Sequence, residues 1–197
     1  VRGLNTKISN FYTNVCTIDE EIVVLTETWL TSGVLSSELF PSYFNVVRDD
    51  RLCGRGGGVL IAVNDKFAIK KLDVISPIPQ IEIVAAKISI KKSNITVVAI
   101  YIPPSQQTGN YIQIFEHLEN HLDFSNPLII LGDFNISEYA ECVREMKTSN
   151  LFNLYSNFIS LNSIRQHNRI TNTYTRILDL FLSTDHFNVV CQQSQFP

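Results

Sequence analysis

Short runs of valine and isoleucine, separated by glycine, proline and asparagine, dominate the pattern of apolar and polar positions along the chain. Such runs are typical of β-strands, because β-branched side chains pack well on a pleated surface that is at least half buried. The pattern predicts strands at residues 21–30, 56–63, 82–90, 94–104, 127–134 and 176–183. The Lys-Lys-Ser-Asn segment at residues 91–94 is typical of a hairpin turn between the third and fourth of these strands.

Apolar residues with helical spacing lie between the predicted strands. Four of them recur at i, i+4, i+7 and i+11, which places them on one face of a helix: Tyr111, Phe115, Leu118 and Leu122. Further helices are predicted near residues 7–15 and 137–148. Strands outnumber helices and their order is mixed, which indicates an α+β fold in which sheets and helices pack as layers.

Composition limits the class of protein. With 45% hydrophobic and 18% charged residues the chain can bury a real core, and no apolar stretch reaches the roughly 18–20 residues of a membrane span, so no membrane partner is predicted. The net charge of −3 excludes a generally basic nucleic-acid binder, but not a nuclease with a local basic rim. We expect one domain over residues 1–197, cut from a longer chain at both ends.

Three acidic residues stand at or near the ends of predicted strands: Glu27 in LTETWL, Asp133 in LGDFN and Asp179 in ILDLFL. Carboxylates that converge at strand ends are suitable ligands for Mg²⁺, which keeps most of its other ligands as water or phosphate. A metal ion there could polarise a phosphoryl oxygen. Each residue alone also has a simpler explanation, as a strand-end cap or a turn former.

The Gly-Asp-Phe-Asn segment strengthens the case for a site. Gly132 allows the backbone to turn where an apolar strand ends, because it has no Cβ. Asn135 offers both a donor and an acceptor, which suits a phosphate oxygen together with a neighbouring side chain. The structural alternative is a turn rich in Asp and Asn.

An ordered series of motifs resembles the endonuclease/exonuclease/phosphatase superfamily, and most closely the endonuclease domain of LINE-type (non-LTR) retrotransposons. The motifs are VRGLN (1–5), LTETWL (25–30), GRGGGVLIAV (54–63), AIYIPP (99–104), ILGDFN (130–135) and ILDLFL (177–182). The resemblance implies a deoxyribonuclease-I-like, four-layered α/β sandwich in which two packed mixed β-sheets are flanked by helices. It also implies phosphodiester cleavage that depends on Mg²⁺, with Mn²⁺ as an alternative cofactor.

The resemblance gives five residues a role. Glu27 matches the metal-binding glutamate, and Asp133 matches the aspartate that activates or orients the attacking water. Asn135 matches the asparagine on the scissile phosphate, and Tyr101 the tyrosine that stabilises developing charge beside it. Asp179 matches the aspartate that orients a catalytic histidine.

Arginines in the segment before the last motif are candidate DNA contacts. The retroelement enzymes carry Pro-Thr-Arg there, of which this sequence keeps Arg169. Arg165 and Arg176 lie on either side of it, and the alternative explanation is an ordinary polar loop. The family's first-motif asparagine and its Ser-Asp-His motif are not in the sequence, and His186 follows Asp179 too closely to be the family histidine.

Other motifs receive structural explanations. His117 and His121 have the spacing of a zinc pair but lack the glutamate of a zincin motif, so they are predicted to face solvent. The glycines at residues 56–58 are predicted to let a strand begin close to its neighbour. Trp29 is predicted to be core beneath the acidic site, and the lysines at residues 70–71 a solvated turn.

Three functions fit these features. The first is a DNA endonuclease that nicks double-stranded target DNA and leaves a 3′-hydroxyl from which a reverse transcriptase domain of the same polyprotein is primed. This hypothesis places the protein inside the cell and its action in the nucleus. The second is a phosphoesterase of the same superfamily acting on a small or lipid phosphate. The third is an inactive remnant, which the missing asparagine and Ser-Asp-His motif favour.

Overall fold

The computed structural model describes residues 3–17, 19–91 and 93–192, so Val1, Arg2 and Lys92 of the segments considered above lie outside the described residues. The helices are α1 (Ile8–Val15), α2 (Ser36–Leu39), α3 (Thr108–His121), α4 (Tyr139–Glu145) and α5 (Asn150–Leu161), and a 3₁₀ helix at Leu4–Thr6 precedes them. The strands are β1 (Ile22–Thr26), β2 (Phe44–Asp49), β3 (Val59–Asn64), β4 (Ala68–Leu72), β5 (Glu82–Ile90), β6 (Ser93–Tyr101), β7 (Leu128–Asp133), β8 (Ile164–Gln166) and β9 (Asp179–Thr184).

The described strands form two sheets. In the small sheet β3 lies between β1 and β2 and pairs antiparallel with both. The large sheet has the order β4-β5-β6-β7-β9-β8. Its pairs are antiparallel apart from β6 and β7, which run parallel. Helix α3 forms part of the crossover that a parallel pair requires, because it lies between β6 and β7 in the chain.

The two sheets pack face to face through aliphatic side chains. Alternate residues of β3 point toward alternate residues of β5 and β6, as the two-residue period of a strand requires. The fully or nearly fully buried members of this layer are Val59, Ile61, Val63, Val84, Ala86, Ile88, Val97, Ala99 and Tyr101. Tyr101 is an almost fully buried aromatic residue of this core and lies at the carboxyl end of β6.

Helices cover the outer faces of both sheets. Helices α3 and α5 pack on the large sheet, where Phe115 and Phe158 stack with ring centroids 4.5 Å apart. Helices α1 and α2 pack on the small sheet through Val15 and Leu39. These layers confirm the predicted four-layered sandwich; the large sheet is mixed and the small sheet is antiparallel throughout. No helix of the described residues is long and apolar enough to cross a membrane.

The structure corrects several predicted boundaries. Strand β1 ends at Thr26 rather than at residue 30, because Glu27 and Trp29 have φ angles of 56° and 54°, which an extended strand cannot contain. The helix predicted at residues 137–148 is limited to Tyr139–Glu145, and Met146 follows it with a left-handed φ of 52°. The lysines at residues 70–71 belong to the edge strand β4 instead of a turn.

Candidate active site

Four polar residues form one row across the large sheet. Tyr101 on β6 pairs with Asp133 on β7, and Asp133 pairs with Asp179 on β9. Glu82 on β5 extends the row, because it pairs with Tyr101 from the other side. Residues paired across neighbouring strands project to the same face of a sheet, and Tyr101 places that face toward the small sheet. The structure therefore brings together Tyr101, Asp133 and Asp179, although they are far apart in sequence.

Glu27 reaches this row from the small sheet. It follows β1 directly, and its positive φ of 56° breaks the strand at that point. The indole N–H of Trp29 donates to Glu27 Oε2 at 2.9 Å, and the hydroxyl of Tyr101 also hydrogen bonds to this carboxylate. Burial and the negative charge of Glu27 raise the pKa of Tyr101, so its hydroxyl stays neutral and can donate.

Asp133 has an ionisation suited to proton transfer near neutral pH. Burial is the main cause that raises its pKa, to about 7, and the charges of Asp179 and Glu27 act in the same direction. The backbone N–H of Asn135 donates to Asp133 Oδ1 at 3.1 Å, which opposes the rise in pKa. Desolvation also raises the pKa of Asp179, although this side chain remains exposed to solvent. A carboxylate with a pKa near the working pH is matched to the task of a general base.

Ionisation of Asp133 should destabilise the metal-free protein. The carboxyl ionises near pH 3.8 when unfolded and near pH 7 when folded. The folded state therefore holds the extra proton between these values, and the free energy of unfolding falls as the pH rises through this window. The free energy of unfolding of metal-free Asp133→Asn, relative to that of the wild type, should increase by on the order of 1–2 kcal/mol when the pH is raised from about 5 to about 8. Urea denaturation in EDTA at the two pH values measures this change. An equal difference at both pH values would contradict the raised pKa.

The segment after β7 is fixed by close backbone contacts. Gly132 has a φ of 149°, and a Cβ at this position would lie 1.8 Å from the carbonyl oxygen of Ile100. Asn135 has a left-handed φ of 49°, and its side-chain amide N–H donates to the carbonyl of Ile102 at 2.8 Å. The buried hydroxyl of Tyr111 donates to the carbonyl of Phe134 at 2.8 Å. Asn135 is thus held across the end of β6, beside Tyr101.

Substitution of Gly132 by alanine should be severely destabilising. The added methyl group would overlap the backbone of β6, which cannot move without breaking the parallel pair. We expect a loss of at least about 2 kcal/mol in the free energy of unfolding. The matched control is Gly109→Ala in α3, where a Cβ meets open space and should stabilise the helix by about 0.5–1 kcal/mol. Equal stability of the two variants in chemical denaturation would show that the contact with Ile100 is unimportant.

An ion pair between Arg51 and Glu82, the residue at one end of the row, was not predicted from the sequence. The Nε of Arg51 donates to Glu82 Oε1 at 2.6 Å and its Nη2 to Oε2 at 3.0 Å. The guanidinium also lies over the ring of Tyr101, 5.5 Å from the ring centroid. Burial raises the pKa of Glu82, which is 3% exposed, and Arg51 counteracts this rise. A glutamate within the apolar IEIVAA segment was the signal that could have indicated this pair.

Trp29 lines a cleft next to Glu27, so its prediction as simple core is wrong. The cleft has a volume of about 520 Å³, and its polar lining includes Asn5, Thr31 and Arg51. The guanidinium of Arg55 lies 4.9 Å from the ring centroid of Trp29. Arg55 is exposed, so it adds a positive charge to the rim of the site.

The glycine segment brings β3 close to the chain that follows β1, as predicted. The backbone N–H of Thr28 donates to Gly58 O at 3.3 Å, and that of Trp29 donates to Gly57 O at 2.9 Å. A Cβ on Gly58 would lie 2.5 Å from Thr28 Oγ1. Only residues without a side chain allow this approach, and the approach holds Glu27 in place.

The loop between β8 and β9 carries two of the three candidate DNA-binding arginines. Arg169 and Arg176 are both exposed. The side-chain amide of Asn168, next to Arg169, donates to the carbonyl of Asp179 at 2.6 Å, which anchors the loop at the end of the row. Arg165 is different, because it lies on β8 opposite Ser183 and its Nε forms an ion pair with Asp185 at 2.8 Å. The structure therefore does not bring Arg165 to the row.

The histidines in the described part of the chain lie outside the row. His186 follows the opposite end of β9 from Asp179 and contacts Thr184 Oγ1 at 3.1 Å through Nδ1. His167 Nε2 lies 2.8 Å from Ser183 Oγ. His121 is exposed as predicted, whereas His117 is partly buried, and the two rings have centroids 4.0 Å apart and planes tilted by 33°. Nδ1 of His121 contacts the carbonyl oxygen of His117 at 2.8 Å, and this arrangement gives no support to a zinc pair.

The acidic residues at the row could provide only a few of the ligands that a metal ion needs. Among the described residues, no group of three or more His, Cys, Asp or Glu side chains is placed to hold a metal ion. Mg²⁺ commonly takes one or two carboxylates and fills its remaining positions with water and phosphate. Glu27, whose carboxylate is oriented by Trp29 and Tyr101, is the residue best placed to provide such a ligand.

The sandwich of two packed sheets flanked by helices is the architecture of deoxyribonuclease-I-like proteins. The chain belongs to the endonuclease/exonuclease/phosphatase family, whose model matches residues 3–197. Comparison with curated protein sequences gives no significant match.

Solved structures show the same fold at low sequence identity. The endonuclease domain of TRAS1, a telomere-specific non-LTR retrotransposon, superposes with a TM-score of 0.65 and 16% identity over 93% of this chain and 83% of that one. An AP endonuclease from Archaeoglobus fulgidus gives 0.62 and 14%, over 93% and 84%. The 3′ phosphatase NExo from Neisseria, bound to a product DNA hairpin, gives 0.62 and 14%, over 94% and 84%. At these identities the likeness shows the fold.

Proposed function

We propose that this chain is a Mg²⁺-dependent DNA endonuclease that nicks target DNA and leaves a 3′-hydroxyl. The observation that carries the proposal is the row of Tyr101, Asp133 and Asp179 with Glu27 facing it from the second sheet. Phosphoryl transfer requires mainly positioning and charge stabilisation, and this arrangement provides groups for both.

Each side chain has a proposed part in the reaction. Asp133 accepts a proton from the attacking water, because its pKa of about 7 lets it be ionised yet basic near neutral pH. Asn135 binds a non-bridging oxygen of the scissile phosphate, and the neutral hydroxyl of Tyr101 stabilises charge that develops there. The water oxygen bonds to phosphorus while the bond to the 3′ oxygen breaks, which leaves the phosphate on the 5′ end at the nick. The 3′ oxygen takes up a proton from solvent to give the 3′-hydroxyl. Asp179 keeps the pKa of Asp133 high, and the family resemblance supports a further part for it in orienting a histidine.

Glu27 is the proposed metal ligand. Mg²⁺, or Mn²⁺ in its place, would supply positive charge to the phosphate oxygens and to the leaving oxygen. The raised pKa of Asp133 is consistent with a site whose negative charge is balanced by a cation during the reaction. Trp29 keeps the carboxylate of Glu27 in a single orientation through its 2.9 Å hydrogen bond.

Basic side chains on both sides of the row form the proposed surface for double-stranded DNA. Arg55 lies on the side of Glu27, and Arg169 and Arg176 lie on the loop that begins next to Asp179. Arg176 also shares a groove of about 240 Å³ with Arg144 of α4. Local basic groups of this kind bind phosphates even on a chain of net charge −3.

Substitution of Arg169 should weaken DNA binding in a salt-dependent way. We expect Arg169→Ala to reduce the slope of log K against log salt by about 1, because one phosphate contact is lost. Fluorescence anisotropy with a labelled duplex at several salt concentrations measures this slope. Arg165→Ala is the matched control, because Arg165 is paired with Asp185 away from the row. Equal slopes for Arg169→Ala and wild type would exclude Arg169 from the DNA surface.

The wider role that we propose is in retrotransposition. The nick would prime a reverse transcriptase domain of the same polyprotein, and the reaction would take place in the nucleus. The motif series that resembles LINE-type endonucleases supports this role, and the TRAS1 endonuclease domain has the same fold.

A phosphoesterase acting on a small or lipid phosphate is the second candidate. The cleft beside Trp29 favours it, because a volume of about 520 Å³ is suitable for a small ligand. The discriminating experiment compares hydrolysis of a supercoiled plasmid with that of bis(p-nitrophenyl) phosphate and of a lipid phosphate in vesicles. Preference for the plasmid supports the endonuclease, and turnover of a small or lipid substrate alone would replace it.

A further inference from the structure

Glu82 is the least expected member of the row. It is 3% exposed and lies on a strand whose neighbouring residues are aliphatic and buried. A buried carboxylate is costly unless it is paired and hydrogen bonded. Arg51 provides two hydrogen bonds, and the backbone N–H of Gly58 provides another. The charge of Glu82 is therefore compensated within the protein.

Stability alone is a weak explanation for this ion pair. The desolvation of two charges offsets most of their attraction, and apolar residues of similar volume often serve a fold equally well. The position of Arg51 also requires a glycine at residue 57, because a Cβ on Gly57 would lie 2.6 Å from three guanidinium atoms of Arg51. A purely structural role for Arg51 and Glu82 does not explain why the guanidinium of Arg51 lies over the ring of Tyr101.

Arg51 contacts both parts of the chain that orient Glu27. One face of its guanidinium lies over the ring of Tyr101, whose hydroxyl bonds to Glu27. Gly57 packs against the guanidinium as well, and its carbonyl accepts the backbone N–H of Trp29 at 2.9 Å. The side chain of Trp29 then donates to Glu27 at 2.9 Å. Two separate chains of contacts thus run from Arg51 to the same carboxylate.

We propose that Arg51 and Glu82 are a positioning pair that fixes Tyr101 and Glu27 for the reaction. The proposal rests on the proposed function of this site. Arg51 acts through its flat guanidinium, which satisfies both oxygens of Glu82 and offers its face to the tyrosine ring. Lysine cannot reproduce this geometry, because its ammonium is a point charge on a flexible stem.

The test separates positioning from structure by removing both charges together. The double variant Arg51→Met/Glu82→Leu leaves no unpaired buried charge, so we expect it to retain wild-type stability. We expect its kcat for DNA nicking to fall by about 10–100-fold with KM unchanged, as for other groups that orient a ligand of a reactive centre. Arg51→Lys keeps the charge and should show the same fall in kcat, which keeps the test decisive if the double variant does not fold.

A comparably buried ion pair away from the row provides the control. Arg48 and Asp50 are paired at 3.0 Å with side-chain exposures of 17% and 14%, against 14% and 4% for Arg51 and Glu82. Arg48 also donates to the carbonyls of Val34 at 2.6 Å and of Thr31 at 3.2 Å, and it pairs with Leu60 on the face of the small sheet that packs against α1 and α2 instead of the large sheet. The variant Arg48→Met/Asp50→Leu should therefore leave kcat unchanged, whatever its stability.

A second measurement does not depend on turnover. Trp29 is the one tryptophan of the chain, so its emission reports on the surroundings of Glu27. Mn²⁺ should quench this emission in the wild type, and the half-saturating Mn²⁺ concentration should rise by about tenfold in Arg51→Met/Glu82→Leu and Arg51→Lys. The control pair should leave it unchanged.

The outcomes distinguish the two proposals. A double variant with the stability and the kcat of the wild type would overturn the positioning role and show that the ion pair is only structural. A wild-type chain that does not nick DNA would overturn the endonuclease, and the quenching of Trp29 would then decide the positioning role alone. An unchanged Mn²⁺ half-saturation in the variants, or no quenching of the wild type, would overturn that role.

Discussion

Replacement of Asp133 by alanine is expected to reduce the rate of DNA nicking by about 10²–10⁴-fold, the usual contribution of a general base. Asp133 lies between Tyr101 and Asp179 in the row, and its pKa of about 7 lets it take a proton from water near neutral pH. The fold should survive, because removal of a partly buried carboxylate relieves repulsion from Asp179 and Glu27. Single-turnover cleavage of a labelled duplex measures the rate, and thermal denaturation measures the fold.

The control for this prediction is an aspartate outside the row. Asp73→Ala removes an exposed carboxylate directly after β4. Strand β4 is at one edge of the large sheet, and β5 and β6 separate it from β7, which carries Asp133. Its nicking rate should equal that of the wild type. Nicking by Asp133→Ala at the rate of Asp73→Ala would remove Asp133 from the reaction.

Replacement of Glu27 by alanine should abolish Mg²⁺-dependent nicking, and replacement by glutamine should show that the charge is responsible. Glutamine keeps the size of the side chain and an oxygen that can accept the Trp29 N–H, but it provides no anionic ligand. We expect the half-saturating Mg²⁺ concentration to rise by about 10–100-fold in Glu27→Gln. Titration of the nicking rate with Mg²⁺ measures this shift.

The comparison for Glu27 is Glu21→Gln. Glu21 precedes β1 on the same segment, and its carboxylate is exposed and paired with Lys66. The Mg²⁺ dependence of Glu21→Gln should match the wild type. The same match in Glu27→Gln would show that the metal ion is held elsewhere.

The sandwich was predictable because its strands follow local rules. The segment at residues 82–90 became β5 with identical bounds, since its short run of Ile, Val and Ala is apolar on both faces and lies between two packed layers. Helix α5 was missed because Asn and Ser, which have low helix propensity, fill the positions between its apolar residues, although Leu151, Leu154, Tyr155 and Phe158 form one face. Packing of Tyr155 and Phe158 against Phe115 of α3 stabilises the helix. Strand β4 was missed because an edge strand tolerates lysines that elsewhere indicate a turn.

The sequence predicted which residues could belong to the site, but it did not predict how they lie relative to one another. Sequence motifs indicated Tyr101, Asp133 and Asp179, whereas only the register of three neighbouring strands places them in one row. The ion pair of Arg51 and Glu82 joins residues 31 positions apart across two sheets, and no local pattern encodes that contact. The role of Trp29 also depended on a positive φ that ends β1, which strand propensity does not predict.

The most direct test of the central claim is the chemistry of the nick. Supercoiled plasmid is incubated with the protein and Mg²⁺, beside Asp133→Ala and an EDTA control, and a DNA polymerase is then added with labelled nucleotides. We predict open-circular plasmid that the polymerase extends without phosphatase treatment, only when both Mg²⁺ and Asp133 are present. A folded chain that leaves the plasmid supercoiled, or nicks that persist in EDTA or in Asp133→Ala, would contradict the account.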